Sequence, residues 1–133
     1  MQTFFKSDME PRAIRKARAS AERRAALNAA YEEVDARDGG YCWVTGRYTQ
    51  PGAVDARVRR EHHHLEPRSL EKGRIADPSN IVTVCAEAHS LFKSGWLVSE
   101  GTDTRKTVRF HWTKLATYRP FQIKSRRWSA NRD

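Results

Sequence analysis

The stretch from His62 to His89 leaves this chain little choice of local structure. Ile81-Val82-Thr83-Val84 is a β-branched run that reads as a strand. Ala86 to Lys93 follows directly and reads as a short helix, stopped by Gly95. Upstream, Val54, Ala56 and Val58 alternate with Asp55, Arg57 and Arg59, which predicts a strand over Ala53 to Leu65 that carries His62-His63-His64 near its end. Glu66 to Pro78 is a polar loop punctuated by Pro67, Gly73 and Pro78. The order is strand, loop, strand, short helix, with imidazoles at both ends.

The rest of the chain is built around that unit. Residues 10–37 read as one long helix, with Pro11 suited to its first turn and Asp38-Gly39-Gly40 as its stop. Leu27, Ala30, Tyr31 and Val34 fall on one face and can dock. The first half offers only Ile14 and alanines among Arg12, Arg15, Lys16, Arg18, Arg23 and Arg24, so it either projects into solvent or lies along DNA. Tyr41-Cys42-Trp43-Val44 is a short strand candidate ended by Thr45-Gly46. Trp96 to Glu100 and Thr107 to Trp112 read as two strands joined through Gly101-Thr102-Asp103. The expected class is α+β, one domain over 1–133: a basic N-terminal helix to residue 37, a core over 38–100, then a strand and a basic arm over 101–133.

Charge narrows the partner. The formal net charge is +9 and the pI near 10.1, which points to polyanions, with double-stranded DNA preferred over a membrane surface. Residues 38–104 carry 8 basic and 9 acidic side chains, whereas residues 105–133 carry 9 basic and 1 acidic. A near-neutral centre beside a basic flank suits phosphate gripping outside the reacting groups. A solubilising tail is the bland reading of the same run. No apolar run approaches the roughly 20 residues of a membrane span, and Met1 to Lys6 is too polar for a secretory signal. The expectation is a cytoplasmic protein that does not engage membranes.

The chemistry lies in the imidazoles. Successive strand residues point to opposite faces, so His63 and His64 should do different jobs. A neutral imidazole can hold a divalent cation or deprotonate water, and an amide can brace the loop that carries it. His64, Asn80 and His89 are separated by 16 and then 9 residues.

That order and spacing, together with Pro67-Arg68 after the histidines, resemble the HNH endonucleases in their His-His form. The resemblance implies a ββα-metal core and a phosphodiester hydrolase. It assigns His63 and His89 as ligands to one divalent metal ion (Mg, Mn, Ni or Zn), His64 as general base and Asn80 as the brace. Arg68 becomes a phosphate clamp, and His62 falls outside the motif. Arg12, Arg15, Arg68, Lys93, Arg109, Arg126 and Arg127 are the expected DNA contacts. A phage-type enzyme acting beside packaging proteins, or as a homodimer, fits the size by family analogy.

Two departures from the family pattern carry consequences. Many relatives have a four-cysteine zinc knuckle, and here Cys42-Trp43-Val44-Thr45 and Cys85-Ala86-Glu87-Ala88 each retain one cysteine. Two thiols with Thr45 and Ala88 cannot complete a thiolate site, so no structural zinc is expected, and Cys42 should lie beside Cys85 as a thiol pair. Some relatives also place a ligand histidine four residues past His89, where this chain has Lys93. The alternative function is a catalytically silent DNA-binding module. With no base-reading signature in view, low sequence specificity and nicking are expected.

Overall fold

The computed structural model describes residues 10–67 and 72–124, and within them the chain is α+β. The elements in order are α1 (Arg12–Asp38), β1 (Arg60–His64), β2 (Ile81–Cys85), α2 (Ala86–Lys93), β3 (Leu97–Glu100) and β4 (Arg109–Trp112). Strands β1 and β2 pair antiparallel, as do β3 and β4, in two separate two-stranded sheets. Single 3-10 turns at Lys72–Arg74 and Pro78–Asn80 lead into β2.

α1 is stopped by Gly39, whose φ of 62° lets its N–H bond back to the Asp35 carbonyl. Its second half docks as the apolar spacing predicts: Ala30 and Val34 are buried against Ile81, flanked by Leu27 and Tyr31. Its first half is almost entirely exposed, Ile14 and the arginines included. At the junction with the core, Arg37 grips Asp38 through both guanidinium arms at 2.7 and 3.0 Å. It also donates to the Pro78 and Ile81 carbonyls, while Asp38 accepts the Thr83 N–H.

β2 is buried along its whole length because both faces are covered. Ile81 meets α1, while Val82 and Val84 enter the main core with Cys42, Trp43, Val44, Leu65, Leu97 and Phe110. β1 lies beside it in the register His64↔Ile81 to Arg60↔Cys85 and is only half-buried, which places its polar side chains at the edges of that core. The β3–β4 hairpin closes the other side, and a Cβ on Gly101 would stand 2.6 Å from the Thr107 carbonyl oxygen, so glycine is required there.

Two expected strands take another form. Tyr41 makes a single bridge to Tyr48, and Cys42 and Trp43 send their N–H groups to Arg47 and Thr83. Cys42 to Val44 is thus a buried turn, its apolar character due to docking rather than pairing. Val54 to Val58 is likewise bend and turn, and Arg59 makes only an isolated bridge to Gln50. The Asp55 carboxylate accepts the Arg57 N–H, and its carbonyl accepts those of Val58 and Arg59, curling the chain before β1 begins. This curl has a use: the Arg59 and Ala56 carbonyls receive the N–H groups of Ala86 and Glu87, which open α2. Among the described residues no helix is long and apolar enough to cross a membrane.

Candidate functional site

β1 presents two chemically different faces. Glu61 and His63 look toward α2. The His63 ring lies flat on Phe92, centroids 3.9 Å apart, and stands edge-on to His89 at 5.7 Å. Burial, with smaller contributions from the neighbouring His89 and His64, lowers the His63 pKa to about 3, so this imidazole is neutral at physiological pH. Glu61 accepts from Nδ1 of His89 at 2.6 Å, which leaves Nε2 as the ring nitrogen turned away from the carboxylate. Burial works to raise the Glu61 carboxyl, but the hydrogen bond and charge of His89, with Lys93 and Arg59 nearby, outweigh it and hold its pKa below the ordinary value. Sequence reasoning missed Glu61; its place two residues before His63 on the same strand face was the available signal.

The opposite face carries Arg60, His62 and His64 toward α1. His62 Nε2 lies 2.7 Å from Asp35, and its ring stacks on Tyr31 at 4.2 Å with planes 7° apart. His64 Nε2 lies 2.8 Å from the Ile75 carbonyl oxygen. A carbonyl only accepts, so that nitrogen carries the hydrogen and the neutral ring bears its lone pair on Nδ1.

Asn80 is 1% exposed and spends its amide on the loop that leaves His64. Its Oδ1 accepts the Glu66 N–H at 2.7 Å, and its Nδ2 donates to the Glu66 and Arg74 carbonyls. Its own backbone carbonyl takes the Leu65 N–H. The 3-10 turn over Pro78–Asn80, capped by the Asp77 side chain on Ser79 N–H, fixes the amide in place.

The fold therefore brings Glu61, His63 and His89 together on one face of β1, with Lys93 close enough to act on Glu61, and sets His64 on the opposite face with Asn80 holding the loop that follows it. Of the other expected DNA contacts, it brings none of the described ones there. Arg12 and Arg15 sit on the exposed half of α1, and Arg109 on β4. Arg68, Arg126 and Arg127 lie outside the described residues. Among the described residues no three His, Cys, Asp or Glu side chains converge as a metal cage, so His63 and His89 could contribute two nitrogens at most.

The four knuckle positions do meet. Cys42, Cys85 and Ala88 share the main core, and the Thr45 N–H points at the Cys42 sulfur at 3.4 Å. The Cys85 thiol hydrogen-bonds the Cys42 sulfur, drawing the Cys42 pKa down against the effect of burial, while the same contact and burial push Cys85 up. Comparison with family models, with curated proteins and with solved structures finds no match to this chain.

Proposed function

We propose that this protein is an HNH-type, metal-dependent DNA endonuclease built on a ββα-metal core, with β1, β2 and α2 as that core. The observation that carries the reading is the approach of His63 and His89 from strand and helix, with Glu61 behind the second ring. Two imidazoles sharing an ion at roughly 2.1 Å from one nitrogen of each would have ring centres about 5 to 6 Å apart. The 5.7 Å separation fits that requirement. So does the donor chemistry, because His63 is held neutral and a carboxylate behind a ligating histidine fixes its tautomer and raises its basicity. Bound there, a divalent cation (Mg, Mn, Ni or Zn) supplies positive charge to the scissile phosphate and the departing 3′ oxygen.

The chain's own groups do the rest. His64 accepts the proton of the attacking water on Nδ1, its Nε2 hydrogen being committed to Ile75. Asn80 fixes the loop after the base, so that the imidazole does not drift with Glu66. Lys93 and Arg68 neutralise flanking phosphates, and the exposed arginines of α1 grip duplex DNA without reading bases.

A silent DNA-binding module is the second reading, favoured by the replacement of two knuckle cysteines with Thr45 and Ala88. Supercoiled plasmid cleavage separates the two. Nicking that requires magnesium, manganese or nickel, stops with EDTA and is lost in His64→Ala supports the nuclease. Retained DNA binding with no cleavage in any metal would mean that the silent module is correct.

A further inference from the structure

The half of α1 that leaves the core carries its charge on a definite side. From Arg12 to Ala26 the helix is exposed apart from half-buried Ala19, and it holds six cations there against one acid, Glu22. Among the described residues only Arg18 of the six has an ion-pair partner, Glu10. The docked stripe of α1 contains Val34, Ala30, Tyr31 and Leu27. Counting on toward the N-terminus by threes and fours brings Arg23, then Ala19 and Ser20, then Lys16 and Arg12. The stripe that seats the helix is apolar where the core covers it and cationic where the helix runs free of the core. An exposed helix balanced by its own ion pairs would place acids three or four residues from its bases, and Lys16 and Arg23 have none at those positions.

The overhang starts beside His64. Helix and strand run in opposite directions where they touch: Asp35 meets Arg60 and His62, and Tyr31, one turn earlier, meets His62 and His64. Continued toward Arg12, α1 passes the His64 end of β1 and projects about 22 Å beyond Leu27, at 1.5 Å per residue. We propose that duplex DNA lies in the crook between this overhang and the His64 end of β1, its phosphates held by Arg12, Lys16 and Arg23. This rests on the nuclease reading for bringing DNA to His64, while the choice of face rests on charge and helical spacing alone. Ala19 and Ser20 between the cations are small, so a phosphate backbone can come close to the helix. Arg15 and Arg18 lie off the stripe and take no part.

Anisotropy of a short fluorescein-labelled duplex, titrated with the full chain in EDTA over a series of salt concentrations, tests this without any cleavage. Lys16→Gln with Arg23→Gln removes two charges from the stripe, and Arg15→Gln with Arg18→Gln removes two from elsewhere on the same helix. Glutamine is a good helix former, so both double variants keep α1. The stripe pair should reduce the slope of log affinity against log salt by about 1.8, two contacts at about 0.9 each, and the other pair should change it by less than about 0.5. A second readout reports the face directly. Cys42 and Cys85 are buried, so a photoreactive aryl azide can be placed on Ser20→Cys, on the stripe, or on Ala25→Cys, on the opposite side. The first should crosslink to the duplex and the second should not. Equal slope changes in the two pairs, or none in either, would overturn the proposal. So would crosslinking from Ala25→Cys alone, or crosslinking of Ser20→Cys to a second copy of the chain in place of DNA. A protein that binds duplex on this face and cleaves nothing sinks the nuclease reading alone.

Discussion

Glu61 and His89 stand 28 positions apart in sequence, and the carboxylate of one lies 2.6 Å from Nδ1 of the other. This is the arrangement expected when a histidine must offer Nε2 to a cation, because the carboxylate selects the tautomer and increases electron density on the far nitrogen. Glu61→Ala should therefore weaken nickel or zinc binding by about 10- to 100-fold while leaving the fold intact. Glu61→Gln, which retains an acceptor oxygen, should fall between that variant and wild type. Calorimetric titration of the three proteins checks the order, and equal affinities would show that Glu61 serves only its contact with Arg59.

The neutral state of His63 makes stability depend on pH. Its pKa in the folded chain is lowered from 6.5 to about 3, mainly by burial beside Phe92. As pH falls below about 6.5 the unfolded chain takes up a proton that the folded chain refuses, so the unfolded state binds more protons and stability declines. The decline should run between the two values and level off near the lower one. Urea denaturation of the metal-free protein should show that limb, and His63→Phe should flatten it. An unchanged acid limb in His63→Phe would assign it to carboxylates instead.

Much of this architecture was legible because its signals are local. α2 occupies the expected Ala86–Lys93, running on directly from β2 and stopping just before Gly95. α1 ends within a residue of the expected stop, since Gly39 adopts a left-handed conformation. The strand expected over Ala53 to Leu65 formed only over Arg60–His64, because alternation also arises in a curled loop, and upstream the Asp55 side chain, by capping its own neighbours, decided the matter. The partners of each histidine were not legible either. Asp35, Tyr31 and Glu61 carry no motif of their own, and only the strand register and the docking of α1 bring them to His62, His64 and His89. Spacing named the imidazoles; packing determined their tautomers.

Arg37 shows how much of the fold hangs on one polar contact. Its guanidinium pairs with an Asp38 carboxylate that is 1% exposed and ties α1 to the carbonyls of Pro78 and Ile81. Arg37→Ala would strand that buried charge and remove the guanidinium donor to the Ile81 carbonyl, while the Pro78 carbonyl keeps the Ile81 N–H. The expected loss is about 3 kcal/mol, the scale for breaking one side of a buried pair. The double variant Arg37→Ala with Asp38→Asn should recover part of it, because the uncompensated charge is gone. Denaturation midpoints of the set test this, and a single-variant loss below about 1 kcal/mol would place Arg37 with ordinary surface pairs.

Asn80 is the brace whose replacement separates stability from chemistry. Its buried amide donates to two carbonyls and accepts one N–H. Asn80→Ala takes the amide partner from the Glu66 N–H and carbonyl, while the Arg74 carbonyl keeps the Asp77 N–H, and a cost of about 2 to 3 kcal/mol follows from the desolvation of such groups. Asn80→Asp keeps the acceptor for Glu66 N–H but turns a carboxylate toward the carbonyls of Glu66 and Arg74. That variant should be the less stable at neutral pH and should recover as the pH falls, when a protonated carboxyl can donate again. If Asn80 acts only by holding the His64 loop, plasmid nicking by either variant should fall while metal affinity at His63 and His89 stays within about twofold of wild type, since neither ligand touches the amide. Parallel loss of metal binding would mean instead that the loop and the metal pair move as one unit, and that Asn80 holds both.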